Sequence, residues 1–208
     1  GSGNVAIYAM EKARQLGAKV ICCSDSTGYV IDENGIDVEA VKQIKEVDRK
    51  RISVYAESHP TATYAEGSVW DAVTCDVALP CATQNELDVE DAVMIVANNV
   101  RYYVEAANMP ATAEALRLLR LSPKILTAGS KASGSGGVVV SALEMVQNSL
   151  RYSWTRQEVD SRLKQIMGDI YDASAAAAEE YGLGYDLIAG NDIAAFKKIS
   201  AAMIAQGL

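Results

Sequence analysis

Three groups of residues near the start of the chain have types and spacings suited to holding a diphosphate and a ribose. The first is Gly1-Ser2-Gly3-Asn4-Val5-Ala6, which fits G-x-G-x-x-A. In that pattern one glycine permits a tight turn, the next lets backbone approach a pyrophosphate, and a small third residue seats helix against strand. A helix starting there offers an anion unpaired N–H groups and partial positive charge. Asn4 is also a good helix N-cap, so a plain capping role stands beside the nucleotide role. The second is Asp25, about 20 residues beyond the glycines, where an acceptor for a ribose hydroxyl is expected. The third is a run of bases, Lys42, Lys45, Arg49, Lys50 and Arg51. Most read as solvated surface, with some placed to approach a phosphate beside Asp25.

The elements that must position these groups follow from periodicity. Val5, Ala6, Ala9, Ala13 and Leu16 predict one face of a helix, with Gly17 as a left-handed C-cap. Residues 19–24 read as a buried strand ending in Asp25. A strand normally precedes the fingerprint; the sequence begins at Gly1, so a sheet lacking its first strand is expected. Asn34-Gly35 is a turn signal. A polar helix is expected over 37–55, buried through Val38, Val41, Ile44 and Val47. Strands are expected at 61–65, 75–80, 102–105 and 124–127, with a helix from Asp88 to about Asn98 and another at 114–121.

This alternation predicts an α/β fold with a doubly wound, Rossmann-type parallel sheet. Ligands in such sheets sit beyond the strand C-termini, here the loops 24–26, 81–85, 106–110 and 129–137. The last, Gly129-Ser130-Lys131-Ala132-Ser133-Gly134-Ser135-Gly136-Gly137, reads either as a close-approach loop at a ligand or as a flexible linker. The helix beginning near Val138 favours the loop. Two long helices, 157–181 and 191–206, end the chain. A dinucleotide-binding domain over 1–150 and a helical C-terminal extension over 151–208 are therefore expected.

Half of the 208 residues are apolar and 22% are charged, an ordinary globular balance. The net charge of −8 argues against nucleic acid or an anionic membrane as the main partner. No apolar run reaches the roughly 18 residues of a membrane span, and no signal peptide is visible. Cys22, Cys23, Cys75 and Cys81 lack zinc-site spacing and His59 is the sole histidine, so no metal site is expected. Reduced core thiols in a cytoplasmic protein are the expectation.

The motifs GSGNVA (1–6), SDSTG (24–28), LPCATQNELD (79–88), ANMP (107–110), SALEMVQNS (141–149), SWT (153–155) and AAMIAQG (201–207) together resemble the coenzyme-binding domain of hexameric, NADP-type glutamate dehydrogenases. The resemblance covers the whole chain and rests mainly on LPCATQNELD and LEMVQNS. It implies reversible oxidative deamination of glutamate to 2-oxoglutarate and ammonia with NADP(H), in a homo-hexamer when full length. It places Gly1, Ser2, Gly3, Asn4 and Val5 at the pyrophosphate and adjoining ribose. Ala82, Thr83 and Gln84 fall on the adenosine and ribose side, and Asn108 on the nicotinamide side. Ser141, with Val138 nearby, falls at the substrate's side-chain carboxylate, the alternative for Ser141 being a helix cap. The catalytic Lys and Asp belong to an N-terminal substrate domain that no stretch here resembles, so no catalytic residue is expected in this chain. Two departures stand out. The family's Asn-Ala-Gly-Gly is Gly134-Ser135-Gly136-Gly137, leaving Ser133 or Ser135 to replace the Asn, and its Gly-Ala-Asn-Ile is Gly190-Asn191-Asp192-Ile193.

Cofactor choice reads two ways. Asp25 favours NAD by accepting from a 2′-hydroxyl. Ser26, Lys45 and Arg51 match positions that reach a 2′-phosphate in NADP-type members, and two cations can outweigh one carboxylate. NADP is the expectation, with NAD the alternative. A non-catalytic nucleotide-sensing module and a related NAD-dependent amino-acid dehydrogenase domain are the rival functions.

Overall fold

A computed structural model describes residues 1–207, and the chain divides into two units, Gly1–Ile125 and Leu126–Leu208. The first unit opens with helix α1 (Asn4–Gln15). Gly17 ends it at φ +88° in a Schellman pair, Ala18 N to Ala13 O at 2.9 Å and Gly17 N to Arg14 O at 3.0 Å. Of the expected face Ala6 is buried, but Ile7 and Met10 are inside with it, while Val5 is 52% exposed and Leu16 76%. Ile7 and Met10 carry more apolar area than Ala9 and Ala13, so burying them wins.

Strands β1 (Cys22–Asp25), β2 (Gly28–Ile31) and β3 (Thr63–Glu66) form an antiparallel sheet in that order. This corrects the expectation of parallel strands throughout. Only Ser26 and Thr27 separate β1 from β2, and so short a turn returns the chain antiparallel. Gly28 is required there, since a Cβ would lie 2.2 Å from Ala65 O on β3.

The helix expected over 37–55 is broken. Asp37 caps α2 (Val38–Lys42), accepting from Glu39 N at 3.0 Å. A π-helical turn, Gln43–Val47, follows, and α3 (Val54–Ser58) comes later. Val38, Val41 and Ile44 are buried as expected, but Val47 is 67% exposed. A wider turn shifts the helical phase, each residue being worth about 100°, so Val47 leaves the core and Ile52 and Tyr55 enter it.

Strand β4 (Val77–Ala78) pairs parallel with β5 (Tyr102–Val104). Helix α4 (Val89–Ala97) starts at a capping box of Asp88 and Asp91, and α5 (Ala113–Leu121) is capped by Thr112. Ala78, Tyr103, Ala92, Ile95, Ala115 and Leu119 pack these strands and helices into a second core.

The second unit holds β6 (Leu126–Ala128), α6 (Ser130–Ser133), α7 (Ser135–Leu150), α8 (Arg156–Glu180) and α9 (Leu187–Ala205). Thr155 and Glu158 form the capping box of α8. Its neighbour α9 crosses closely enough that a Cβ on Gly190 would fall 2.0 Å from Ser174 O. The segment expected as a loop at 129–137 is almost entirely helical. Ser133 Oγ donates to Gly129 O at 3.1 Å and Ser135 Oγ to Ala132 O at 2.6 Å, so both hydroxyls are satisfied within these turns. Among the described residues no helix is long and apolar enough to cross a membrane.

Candidate dinucleotide site

The glycine turn leads directly into α1. Gly3 is the N-cap, with φ −86° and ψ −171° and no side-chain capping bond, and no acidic residue occupies the first turn. The N–H groups of that turn therefore face outward with the helix dipole uncompensated. Asn4 is the first helical residue rather than the cap, so the capping alternative for its side chain fails. Ser2 is buried, whereas Gly3, Asn4 and Val5 are exposed. The two glycines differ in what surrounds them. A Cβ on Gly1 would lie 3.2 Å from the backbone N and Cβ of Ala82, so the turn rests on the 81–85 loop. A Cβ on Gly3 would meet nothing within 4 Å. Neither packing nor backbone angle demands glycine there, and an open approach to the helix N-terminus is what its small size provides.

The end of β1 lies beside this turn, Ser24 N donating to Gly1 O at 3.4 Å. There the structure brings Asp25, Ser26, Lys45 and Arg51 together. Asp25 Oδ1 accepts from Thr27 N at 3.0 Å and Thr27 Oγ1 at 2.6 Å. Its Oδ2 accepts from Ile52 N at 2.9 Å and Lys45 Nζ at 3.1 Å. The Asp25 side chain is 7% exposed. Burial works against its charge, but the bonds from the Thr27 side chain, the Ile52 and Thr27 N–H groups and Lys45 outweigh it, holding the carboxyl well below the usual carboxylate range. Arg51 Nη1 donates to Ser26 Oγ at 2.6 Å. Lys45 sits in the π-helical turn, the wider geometry of which accompanies its reach toward Asp25. Thr27 and Ile52 were not among the expected site residues. A hydroxyl residue two positions after an Asp is a signal for the Thr27 contact; nothing local marks Ile52.

The loops after β4 and β5 are zipped together. Pro80 O accepts from Ala106 N at 3.0 Å and Ala107 N at 2.9 Å, and Asn85 N donates to Met109 O at 3.0 Å. Asn85 (φ +54°) and Met109 (φ +49°) take left-handed conformations to make this turn-on-turn contact. Ala82 N donates to Glu86 Oε1 at 2.9 Å, so Glu86, also absent from the expected set, shapes the loop. Ala82, Thr83, Gln84 and Asn108 are exposed on the resulting ledge. The glycine turn, the Asp25 corner and this ledge thus all belong to the first unit.

Val138 and Ser141 belong to the second unit, three residues apart on α7 and so on one helical face. Ser141 lies in the interior of α7, not its first turn, which removes the capping alternative. Both are exposed, as is Met145 one turn further along that face. On β6, Thr127 Oγ1 is buried without a hydrogen-bond partner among the described residues. Burial raises the thiols of all four cysteines, Cys22 to about 11 and Cys23 to about 12, so they stay protonated at neutral pH. No cluster suited to a metal ion occurs among the described residues.

The family model described as Glutamate/Leucine/Phenylalanine/Valine dehydrogenase matches residues 1–207. The chain belongs to this family. It is 49% identical over 212 residues to the NAD-specific glutamate dehydrogenase of Clostridium symbiosum, covering all of this chain and 47% of that protein. It is 45% identical over 216 residues to the NADP-specific glutamate dehydrogenase of Helicobacter pylori (strain ATCC 700392 / 26695), covering all of this chain and 48% of that protein. A solved glutamate dehydrogenase superposes with a TM-score of 0.95 at 48% identity, over all of this chain and 47% of that one. The chain spans about half the length of the relatives it matches, and those relatives carry names with either cofactor.

Where the dehydrogenase resemblance calls for an Asn, Gly134 is both the C-cap of α6 and the N-cap of α7, with φ −76°. A Cβ at Gly134 would lie 2.6 Å from Ser130 O, so any larger residue there requires the α6 turn to open. The helical form of 130–137 and the loss of the Asn are therefore consistent with each other.

Proposed function

We propose that this chain is the coenzyme-binding portion of a glutamate dehydrogenase, serving reversible oxidative deamination of glutamate to 2-oxoglutarate and ammonia with NADP(H). The observation that carries the reading is the open space over Gly3 at an uncapped, acid-free helix N-terminus. A diphosphate fits there, taking hydrogen bonds from the N–H groups of the first turn. Gly1, Ser2, Asn4 and Val5 complete the turn, and Ala82, Thr83, Gln84 and Asn108 form the ledge along which the rest of the dinucleotide extends.

NADP is supported over NAD by the corner at β1. Asp25 is neutralised by Lys45, and Arg51 with Ser26 supplies a second cation and a hydroxyl for a 2′-phosphate. The bound nicotinamide supplies hydride exchange; the residues of this chain bind and orient it. Val138 and Ser141 contribute to the substrate side, Ser141 donating to the glutamate side-chain carboxylate. The catalytic Lys and Asp come from an N-terminal substrate domain of the same cytoplasmic enzyme, which assembles as a homo-hexamer.

Titrating the chain with NADPH and NADH, followed by the fluorescence of the reduced nicotinamide, tests the reading. Saturable binding of NADPH tighter than NADH is expected. Binding of neither nucleotide overturns it, and tighter NADH overturns the NADP assignment alone.

A further inference from the structure

Asp25 stands where the ribose acceptor of a dinucleotide site is expected, yet its acceptor capacity is already used. A carboxylate offers about four acceptor directions. Here four donors occupy them: Thr27 N and Thr27 Oγ1 on one oxygen, Ile52 N and Lys45 Nζ on the other. A ribose hydroxyl must displace one of these to be accepted. Ile52 N is a buried backbone donor and Thr27 N is fixed by the β1–β2 turn. Lys45 brings a full charge to the pair, at 3.1 Å. Thr27 Oγ1, from an exposed residue at 2.6 Å, is the donor most readily changed without touching the backbone. That backbone is held separately, since Tyr64 OH donates to Thr27 O at 3.2 Å.

We infer that Thr27 is a positioning residue for cofactor choice, its hydroxyl filling the place on Asp25 that a ribose 2′-hydroxyl would otherwise take. The inference rests on reading this corner as the ribose end of the dinucleotide site. With Thr27 in place, Asp25 acts as an internal anion that anchors Lys45 and the backbone at Ile52, while Arg51 and Ser26 face the 2′ position. Without the hydroxyl, Asp25 Oδ1 gains an unfilled acceptor site that attracts a 2′-hydroxyl and repels a 2′-phosphate.

The test is direct titration of the chain and of its Thr27→Val and Thr27→Ser variants with NADPH and NADH, alongside thermal melts. Valine keeps the shape and the backbone N–H and removes only the side-chain donor; serine keeps the donor. In Thr27→Val the ratio of the NADPH to the NADH dissociation constant is expected to rise about tenfold, the worth of one charge-assisted hydrogen bond, mainly through tighter NADH. Thr27→Ser returns the ratio to the wild-type value. A ratio unchanged in Thr27→Val, or both nucleotides weakening in step with a lowered melting temperature, overturns the inference and leaves the site reading intact. Wild-type protein that binds neither nucleotide overturns the site reading itself. Thr27→Ala, which adds no bulk to the turn, carries the same expectation should the valine variant not fold.

Discussion

Replacing Gly3 by alanine separates a ligand-imposed glycine from a fold-imposed one. The backbone at Gly3, φ −86° and ψ −171°, is open to any residue, and the added Cβ meets nothing within 4 Å. Folding then feels two small opposed terms. Loss of glycine's freedom in the unfolded chain stabilises by about 0.4–1 kcal/mol, and alanine's poorer performance as an N-cap costs about 0.5–1 kcal/mol. The net change is within about 0.5 kcal/mol, which moves the melting temperature of a chain this size by about 2 °C or less. Binding feels something quite different. On the proposed placement the methyl stands where a pyrophosphate oxygen approaches the first-turn N–H groups, and losing one hydrogen bond to a charged group costs about 1.5–3 kcal/mol, or 10- to 150-fold in affinity. Nucleotide titration and a thermal melt on the same preparations read both quantities. Unchanged affinity in Gly3→Ala refutes the placement of the diphosphate, and affinity lost together with several degrees of melting temperature refutes the claim that the space is open.

Replacing Lys45 and Arg51 together by alanine is expected to weaken NADPH by about 2–4 kcal/mol without weakening NADH, because Asp25 loses its counter-ion just where a phosphate would sit and regains an acceptor position that a 2′-hydroxyl can use; equal weakening in a titration refutes it. Asp25→Asn addresses acid stability. A carboxyl held low in the folded state stabilises above its unfolded pKa of about 3.9 and loses that contribution as pH falls through the folded value, so wild-type urea midpoints drop from about pH 4 downward, while the variant is less stable at pH 7 and flatter in acid; parallel pH curves refute the assignment. Thr127→Val removes a buried hydroxyl with no partner among the described residues and is expected to stabilise by about 1 kcal/mol, raising the melting temperature by about 2–4 °C; a lower melting temperature shows that the hydroxyl is satisfied.

Features written in local chemistry were legible from the residues alone. Gly17 as a C-cap and Asp88 as an N-cap both occur as read, as do the two long C-terminal helices to within a few residues. Each depends on a side chain meeting backbone a few positions away, which a single sequence contains. The failures share the opposite property. The hairpin at Asp25–Gly28 carries no Asn-Gly or Asp-Gly pair; what turns the chain is the Asp25 carboxylate accepting from Thr27, with Gly28 forced by the approach of β3 from 37 residues away in sequence. The break in the 37–55 helix leaves no proline or glycine as a mark. It accompanies the pairing of Lys45 with a carboxylate 20 residues earlier. In the glycine-rich segment, composition argued for a loop, and serine hydroxyls bonding to carbonyls three and four residues back accompany a helix instead.

The candidate site shows the same division with one added consequence. In the sequence Asp25, Ser26, Lys45 and Arg51 are three separate charges and a hydroxyl, and they pull toward different cofactors. Their juxtaposition changes the terms of that choice: a carboxylate with four donors is no longer a spare acceptor, and a lysine paired to it is no longer a spare cation. On the proposed reading, what remains for a 2′-phosphate is Arg51 and the Ser26 hydroxyl that it already engages. On that reading, cofactor preference turns on how firmly Asp25 is held rather than on whether an acid is present at the end of β1. That is why a neutral threonine, silent in any charge count, becomes the residue to change.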